Sequence, residues 1–248
     1  MTNANITALL AAFPKKRPQL PAAYLPVYDA ELAAGRTGHN WIHRMVLWAE
    51  GWMHRTLERS GHTGPVLEIG AGTLNHLRHV CQTEAYDIVE PSATLLARAD
   101  PKDQHRIRHV YQDLSAVDPS LRYDRILSVA VLEHLEELPF VIARSALLLT
   151  EHGVFQAGLP NEGALLWHMG STLTTGIAFR LRTGLSYTPL IRYEHINTVV
   201  EIERIIGYFF ASVHRQRFPV PWLHASFYTC IEAQHPRLDL CRQMVLSR

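Results

Sequence analysis

An acid and two glycines follow an apolar run in the stretch VLEIGAGTLNHL, residues 66–77. Gly70 and Gly72 allow a backbone to turn tightly and to approach a ligand without a Cβ in the way. Another acid, Glu90, ends the next apolar run about 20 residues beyond the turn, where an acid commonly binds ribose hydroxyls. Together with Glu68 it offers carboxylate acceptors for charge-assisted hydrogen bonds. The pattern predicts a site for a nucleoside.

A third acid, Asp113 in YQDLSAV, ends the next apolar run and can accept a hydrogen bond from an exocyclic amine. A nicotinamide dinucleotide is the rival ligand, but its fingerprint is G-x-G-x-x-G against a pyrophosphate. Here the spacing is E-x-G-x-G, with Leu74 and Asn75 where a further glycine is expected. An acid beside the turn also repels a pyrophosphate. The residues favour a cofactor with a ribose and a cationic or zwitterionic end.

Strand-like and helix-like segments alternate around these residues, which predicts βαβ units in an α/β fold with a mainly parallel sheet. The apolar β-like runs are 66–69, 86–89, 107–111, 126–129 and 154–157. The helical patterns are 41–59, 74–81, 93–99, 133–149 and 199–208. Two last β-like runs, 212–218 and 225–232, predict an antiparallel pair that completes a doubly wound, seven-stranded sheet.

The 248 residues are enough for one sizeable core, and we interpret 1–248 as a single domain. Residues 159–197 form a stretch too long for an ordinary connection, and such loops are often lids. The predicted parts are an N-terminal arm and helix (1–60), a cofactor-binding core (61–158), a lid insertion (159–197) and the C-terminal part of the sheet (198–248).

Composition excludes several classes of protein. The formal charge of +1 lacks the basic surplus that a nucleic-acid partner usually requires. Cys81, Cys230 and Cys241 are odd in number and without metal-ligand spacing, which indicates a reducing compartment. The start of the chain does not follow the order of a signal peptide, so we expect a cytoplasmic protein. Residues 163–179 carry no Asp, Glu, Lys or Arg but are slightly short for a membrane span. A peripheral membrane contact stays open.

The motifs VLEIGAGTLNHL, DIVEPS, YQDLSAV and YDRILSVAVLEHLEELP, in this order, resemble those of class I methyltransferases that depend on S-adenosylmethionine. Residues 194–210 resemble a later helix of that Rossmann-like fold. The resemblance implies S-adenosyl-L-methionine as cofactor and S-adenosyl-L-homocysteine as product. Leu74 departs from the pattern, because many members have a third glycine there. The implied cofactor-binding residues are Glu68, Gly70, Ala71, Gly72, Asn75, Glu90, Pro91, Asp113, Leu114, Ser128 and Val129.

Methyl transfer to a hydroxyl benefits from a general base of near-neutral pKa, for which histidine fits best. His134 follows the fourth predicted strand and His195 precedes the late helix, so both are candidate catalytic residues. A cofactor contact or a structural hydrogen bond is the alternative for His134. Glu133 and His134 also resemble a step at which some quinone O-methyltransferases use a divalent ion. No further ligand is evident in the sequence, and we predict no metal.

Polar and aromatic residues of the arm and the insertion are candidates for binding the acceptor. The arm and the LLW…TTG…EHIN insertion resemble methyltransferases of bacterial surface-polysaccharide pathways, which favours O-methylation of a sugar or related hydroxyl on a small molecule or glycan. A nicotinamide-dependent oxidoreductase and a non-catalytic S-adenosylmethionine-binding protein are the alternatives. The oligomeric state stays open. The candidate acceptor-binding residues are Tyr24, His39, Trp167, Tyr193 and Glu194.

Overall fold

The structure, a computed structural model, describes residues 3–34, 41–59, 61–171 and 175–247. Seven strands form one sheet in the order β3-β2-β1-β4-β5-β7-β6. The first five strands are parallel, and β7 runs antiparallel to both β5 and β6. This confirms the predicted fold class. The strands are β1 (Val66–Ile69), β2 (Tyr86–Val89), β3 (His109–Tyr111), β4 (Tyr123–Val129), β5 (Leu149–Pro160), β6 (Phe210–Phe218) and β7 (Tyr228–Pro236).

Helices cover both faces of the sheet and build the arm and the insertion. They are α1 (Asn3–Ala11), α2 (Leu25–Ala34), α3 (Trp41–Glu58), α4 (Ala93–Leu96), α5 (Pro101–Gln104), α6 (Leu138–Leu147), α7 (Leu165–Ser171), α8 (Ile177–Thr183), α9 (Thr188–Glu194), α10 (Val199–Phe209) and α11 (Leu238–Leu246). In the described part of the chain, no helix is both long enough and apolar enough to span a bilayer.

The predicted helix over 74–81 is wrong. Leu74 has a φ of 62°, a left-handed value that an α-helix cannot contain, and only the short 3-10 turn Leu77–His79 follows it. The predicted helix over 133–149 begins instead at Leu138, with Pro139 in its first turn. Proline suits that position because the first amides of a helix have no partner within it.

The N-terminal arm is tied to the start of α10. Thr198 and Glu201 form a reciprocal capping box, in which the Thr198 side chain accepts from the Glu201 amide and the Glu201 carboxylate accepts from the Thr198 amide. Lys15 Nζ donates to Glu201 Oε1 and to the carbonyl of Ile196, both at 2.8 Å. The arm therefore holds the segment that carries His195.

A buried polar network lies between α3 and the sheet. His76 Nε2 donates to Glu58 Oε1 at 3.0 Å, which leaves its Nδ1 to accept from His54 Nδ1, also at 3.0 Å. Arg125 is fully buried and donates to the same Glu58 oxygen at 2.5 Å. Burial, followed by the neighbouring His76, lowers the pKa of His54 to about 3. Burial also lowers the pKa of His76 and of His79, which stacks on His54.

This network predicts a loss of stability in acid. The unfolded chain binds a proton at His54 below about pH 6.5, whereas the folded chain resists it down to about pH 3, so the free energy of unfolding falls as the pH drops through this window. For His54 alone the slope approaches about 1.4 kcal/mol per pH unit. Urea unfolding between pH 7.5 and 5 measures it.

The matched comparison is His54→Gln, which keeps a donor for His76 but cannot titrate. We expect a shallower pH dependence for this variant, and no change for His152→Gln at an exposed position. Burial raises the pKa of Glu68 to about 8, which acts in the opposite direction between about pH 4.5 and 8 but is common to all three proteins. Parallel curves for wild type and His54→Gln would contradict the assignment.

Candidate active site

The glycine turn follows β1 directly. Gly70 has a φ of 71°, and its amide donates to the carbonyl of Val89 at 2.8 Å. A Cβ at Gly70 would lie 2.4 Å from a methyl carbon of Val131, so the close approach of these two segments requires glycine. Gly72 has a φ of 53°, and a Cβ there would meet nothing within 4 Å. The turn therefore packs tightly on one side and is open on the other.

The Glu90 carboxylate is fixed against this turn. Its Oε2 accepts from the amide of Gly72 and its Oε1 from the amide of Ser92, each at 2.8 Å, and the residue is 5% exposed. An ionised carboxylate has about four acceptor positions, so two remain for other donors. The structure thus brings the turn and Glu90 together as the sequence predicts, in an arrangement that fits a ribose with two hydroxyl groups.

Glu68 lies deeper than the sequence suggests. Its Oε2 accepts from the Tyr86 hydroxyl at 2.8 Å, and the residue is 3% exposed. Burial raises the pKa of Glu68 to about 8, and the nearby Glu90 adds to this shift. Burial therefore disfavours the ionised form of Glu68, which makes it a poorer source of the charge-assisted bonds that we expect from it. Glu90 is the better candidate for the ribose hydroxyls.

Ser128, near the end of β4, is fully buried next to β1, where it pairs with Ile69. Its Oγ has no hydrogen-bond partner among the described residues. This oxygen also has almost no solvent-accessible surface, so it does not face an open cleft here, and its contact with a cofactor stays a prediction. The open side of Gly72 fits a nucleoside cofactor at this edge.

Asp113 acts as a cap in this structure. Its Oδ1 accepts from the Ser115 amide at 2.7 Å and from the Ser115 hydroxyl, so it begins the 3-10 turn Leu114–Ala116. The side chain is exposed, and a contact with adenine stays a prediction. Of the other predicted cofactor residues, Ala71 and Leu114 are buried, Val129 is half-buried, and Asn75 and Pro91 are exposed.

The two candidate catalytic histidines lie side by side. Their ring centroids are 4.7 Å apart, with the planes at 83°. His134 Nδ1 donates to the carbonyl of Glu194 at 2.8 Å, and His195 Nδ1 is hydrogen-bonded to the carboxylate of Glu162. Glu162 follows β5 at the same edge of the sheet. Sequence analysis missed Glu162, although its place after a predicted strand was a usable signal.

Backbone bonds hold these segments in register. The amides of Ile196 and Asn197 donate to the carbonyl of Glu133 at 2.9 and 3.0 Å. Asn197 is buried, and its Nδ2 donates to the carbonyls of Leu132 and Leu135 at 2.9 and 2.7 Å. The loop after β4 and the segment before α10 therefore form one rigid unit, which fixes both histidines.

The predicted acceptor-binding residues divide into two groups. Trp167 lies near His195, with ring centroids 6.0 Å apart, and Glu194 contributes the carbonyl that His134 binds. Tyr193 packs edge-on against Tyr28 at 5.4 Å.

Tyr24, by contrast, is buried with Phe179 and Leu190, and its hydroxyl donates to the carbonyl of Ser186 at 2.9 Å. Its contacts join the arm to the insertion. His39 lies outside the described residues.

A cavity of about 880 Å³ lies at the opposite edge of the sheet, and Thr63, Thr83 and Asp124 are among its lining residues. It adjoins the amino ends of the parallel strands, whereas ligands of open α/β sheets bind beyond the carboxyl ends. None of the predicted site residues that the structure describes lines it. We assign it no role in the chemistry.

Comparison with known proteins gives one family match. Residues 67–155 match the model of a family described as a methyltransferase domain. This segment contains the glycine turn, Glu90, Asp113 and the Glu133–His134 pair. No curated protein matches the chain.

Several solved structures share the fold. The chain is similar to the plantazolicin methyltransferase BpumL in complex with S-adenosylhomocysteine, with a TM-score of 0.59, 12% identity and coverage of 93% of this chain and 99% of that one. The N-methyltransferase NodS from Bradyrhizobium japonicum WM9, also with S-adenosylhomocysteine, is similar with a TM-score of 0.55 and 16% identity, over 86% of this chain and 97% of that one. Magnesium protoporphyrin IX methyltransferase from Synechocystis PCC 6803, with the same ligand, is similar with a TM-score of 0.53 and 16% identity, over 85% of this chain and 94% of that one. At such identities the likeness shows the fold.

Proposed function

We propose that this chain methylates a small-molecule acceptor at oxygen. The proposal starts from the match of residues 67–155 to a methyltransferase domain and from the fold, which is that of class I methyltransferases that use S-adenosylmethionine. The domain match supports the predicted enzyme class, and the likeness to structures that contain S-adenosylhomocysteine supports the predicted cofactor. The observation that carries the choice of oxygen is the pairing of His195 with the carboxylate of Glu162, because methyl transfer to a hydroxyl benefits from a base.

S-adenosylmethionine supplies an activated methyl group when it is bound. We assign the ribose hydroxyls to Glu90, which the Gly72 and Ser92 amides hold in place. Gly70 and Gly72 shape the turn beside it. A contact of Ser128 with the cofactor stays a prediction from the sequence. These residues bind and orient, which is the main contribution of a protein whose cofactor carries the reactive group.

His195 is placed to accept the proton of the acceptor. Its Nδ1–H donates a hydrogen bond to Glu162, so in the neutral imidazole Nε2 holds the lone pair that a base requires. The acceptor O–H bond breaks, the proton moves to Nε2, and the oxygen forms its bond to the methyl carbon. The imidazolium that results is stabilised by the Glu162 carboxylate, as in other carboxylate–histidine pairs.

The acceptor that we favour is a sugar or a related hydroxyl compound, free or in a glycan. Trp167 lies beside His195 and can offer an aromatic face to the acceptor. A place in surface-polysaccharide biosynthesis is part of this proposal. We also propose a cytoplasmic location, which the free thiols of Cys81, Cys230 and Cys241 support.

Calorimetry with S-adenosylmethionine, S-adenosylhomocysteine and NADH tests the cofactor, and release of S-adenosylhomocysteine with a panel of sugars and nucleotide sugars tests the reaction. We expect micromolar binding of the adenosyl ligands and none of NADH. Binding without release in the presence of any hydroxyl acceptor would favour the non-catalytic alternative. Release with amine acceptors alone would overturn the assignment to oxygen.

A further inference from the structure

One carboxylate and two imidazoles converge where β4 ends. Glu133, His134 and His195 each place one donor atom within 4.8 Å of the other two. The Glu133 side chain is 2% exposed, and its Oε1 lies 3.8 Å from His134 Nε2. A cation is a strong partner for a carboxylate that is so buried.

The hydrogen bonds of the two histidines orient them as metal ligands are oriented. A carbonyl only accepts, so His134 Nδ1 must carry its proton toward Glu194, and in the neutral ring Nε2 holds the lone pair. His195 is oriented in the same way by the Glu162 carboxylate. Histidines that bind metals commonly donate their second nitrogen to a carboxylate or a backbone carbonyl, which fixes the ring and the tautomer.

The donor set indicates the kind of ion. Magnesium and calcium prefer oxygen ligands alone, whereas two imidazoles and one carboxylate suit zinc and its neighbours among the first-row divalent metals. Three protein ligands with a fourth position left open is the arrangement of catalytic zinc sites.

We propose that Glu133, His134 and His195 bind one divalent transition-metal ion of the zinc type through Glu133 oxygen and both Nε2 atoms. The open position takes the acceptor oxygen, and this part of the proposal rests on the proposed function. A hydroxyl bound to such an ion loses its proton more readily, so in the metal-loaded protein the proton would pass to water, and the role of His195 as base applies to the metal-free protein. The sequence predicted no metal because the third ligand comes from a distant segment that the fold brings back.

Metal binding is measured on the full chain after removal of metals with a chelator. We expect calorimetry to give one zinc ion per chain and no binding of magnesium, and cobalt(II) to give the visible spectrum of a four- or five-coordinate site. Glu133→Gln and His134→Gln should each weaken zinc binding at least tenfold. His152→Gln, exposed on β5, is the matched control and should bind as the wild type does.

Three results would overturn the site: no stoichiometric binding, magnesium binding as strong as zinc, or unchanged affinity in both ligand variants with their thermal unfolding intact. Methyl transfer tests the open position separately. Equal turnover by the metal-free and zinc-loaded protein would remove the ion from the reaction and leave the proposed function standing. Loss of cofactor binding would affect the proposed function but not the zinc titration.

Discussion

His195→Ala is expected to lower kcat by about 10²–10⁴-fold, the usual contribution of a positioned acid or base. The variant removes the Nε2 atom that we assign to the acceptor proton or to the ion beside it, and it leaves Glu162 without its imidazole partner. The affinity for S-adenosylmethionine should stay within about twofold, because the proposed ribose contacts lie on Glu90. Release of S-adenosylhomocysteine measures kcat, and calorimetry measures the affinity.

His214→Ala is the matched control, since His214 is exposed on β6 and should keep wild-type turnover. Glu162→Gln should lower kcat as well, but less than His195→Ala, because the amide still holds the ring while losing the charge that stabilises an imidazolium. Wild-type turnover in His195→Ala would assign this histidine to structure. A loss of cofactor affinity equal to the loss of turnover would place it in the cofactor site instead.

The strands that flank the cofactor edge are those that sequence predicts best. The bounds of β1 and β2 agree with the prediction to the residue, because all four residues of each are buried and three of the four are apolar. The ends of β4 and β5 were less accurate, since their outer residues are less apolar. The strand pattern also predicts the positions of Glu68, Glu90 and Asp113, but it does not predict the burial and hydrogen bonds of their carboxyl groups.

Environment is what the sequence could not supply. Glu68 lies within β1 and Glu90 directly follows β2. Burial raises the pKa of Glu68 although the Tyr86 hydroxyl donates to it, whereas the Gly72 and Ser92 amides hold the Glu90 carboxylate at the turn. Leu74 takes a left-handed conformation that its residue type disfavours, so the helix predicted there does not form. The joining of Glu162 to His195, and of His195 to Glu133 and His134, depends on contacts between distant segments.

Glu90→Ala is expected to weaken binding of S-adenosylmethionine by about 1–3 kcal/mol, which is about 5- to 150-fold in Kd. The carboxylate is held by two amides, so its remaining acceptor positions are preorganised for the two ribose hydroxyls. Glu90→Gln should lose most of the same affinity, because an amide has one oxygen and cannot satisfy the Gly72 and Ser92 amides together with two hydroxyls. Calorimetry with S-adenosylhomocysteine, which lacks the sulfonium charge, should show a similar loss.

The control for Glu90→Ala must separate ligand contacts from support of the turn, since the variant also frees the Gly72 amide. Glu84→Ala is a suitable control, because Glu84 is exposed and lies just before the other end of β2. This variant should leave both the affinity for the cofactor and thermal unfolding unchanged. If the ribose contacts are real, 2′-deoxyadenosyl and 3′-deoxyadenosyl analogues should bind the wild type less tightly than S-adenosylhomocysteine, and Glu90→Ala should no longer distinguish them. Retained discrimination in the variant would move the ribose site to another acid, and an unchanged Kd would remove Glu90 from the site.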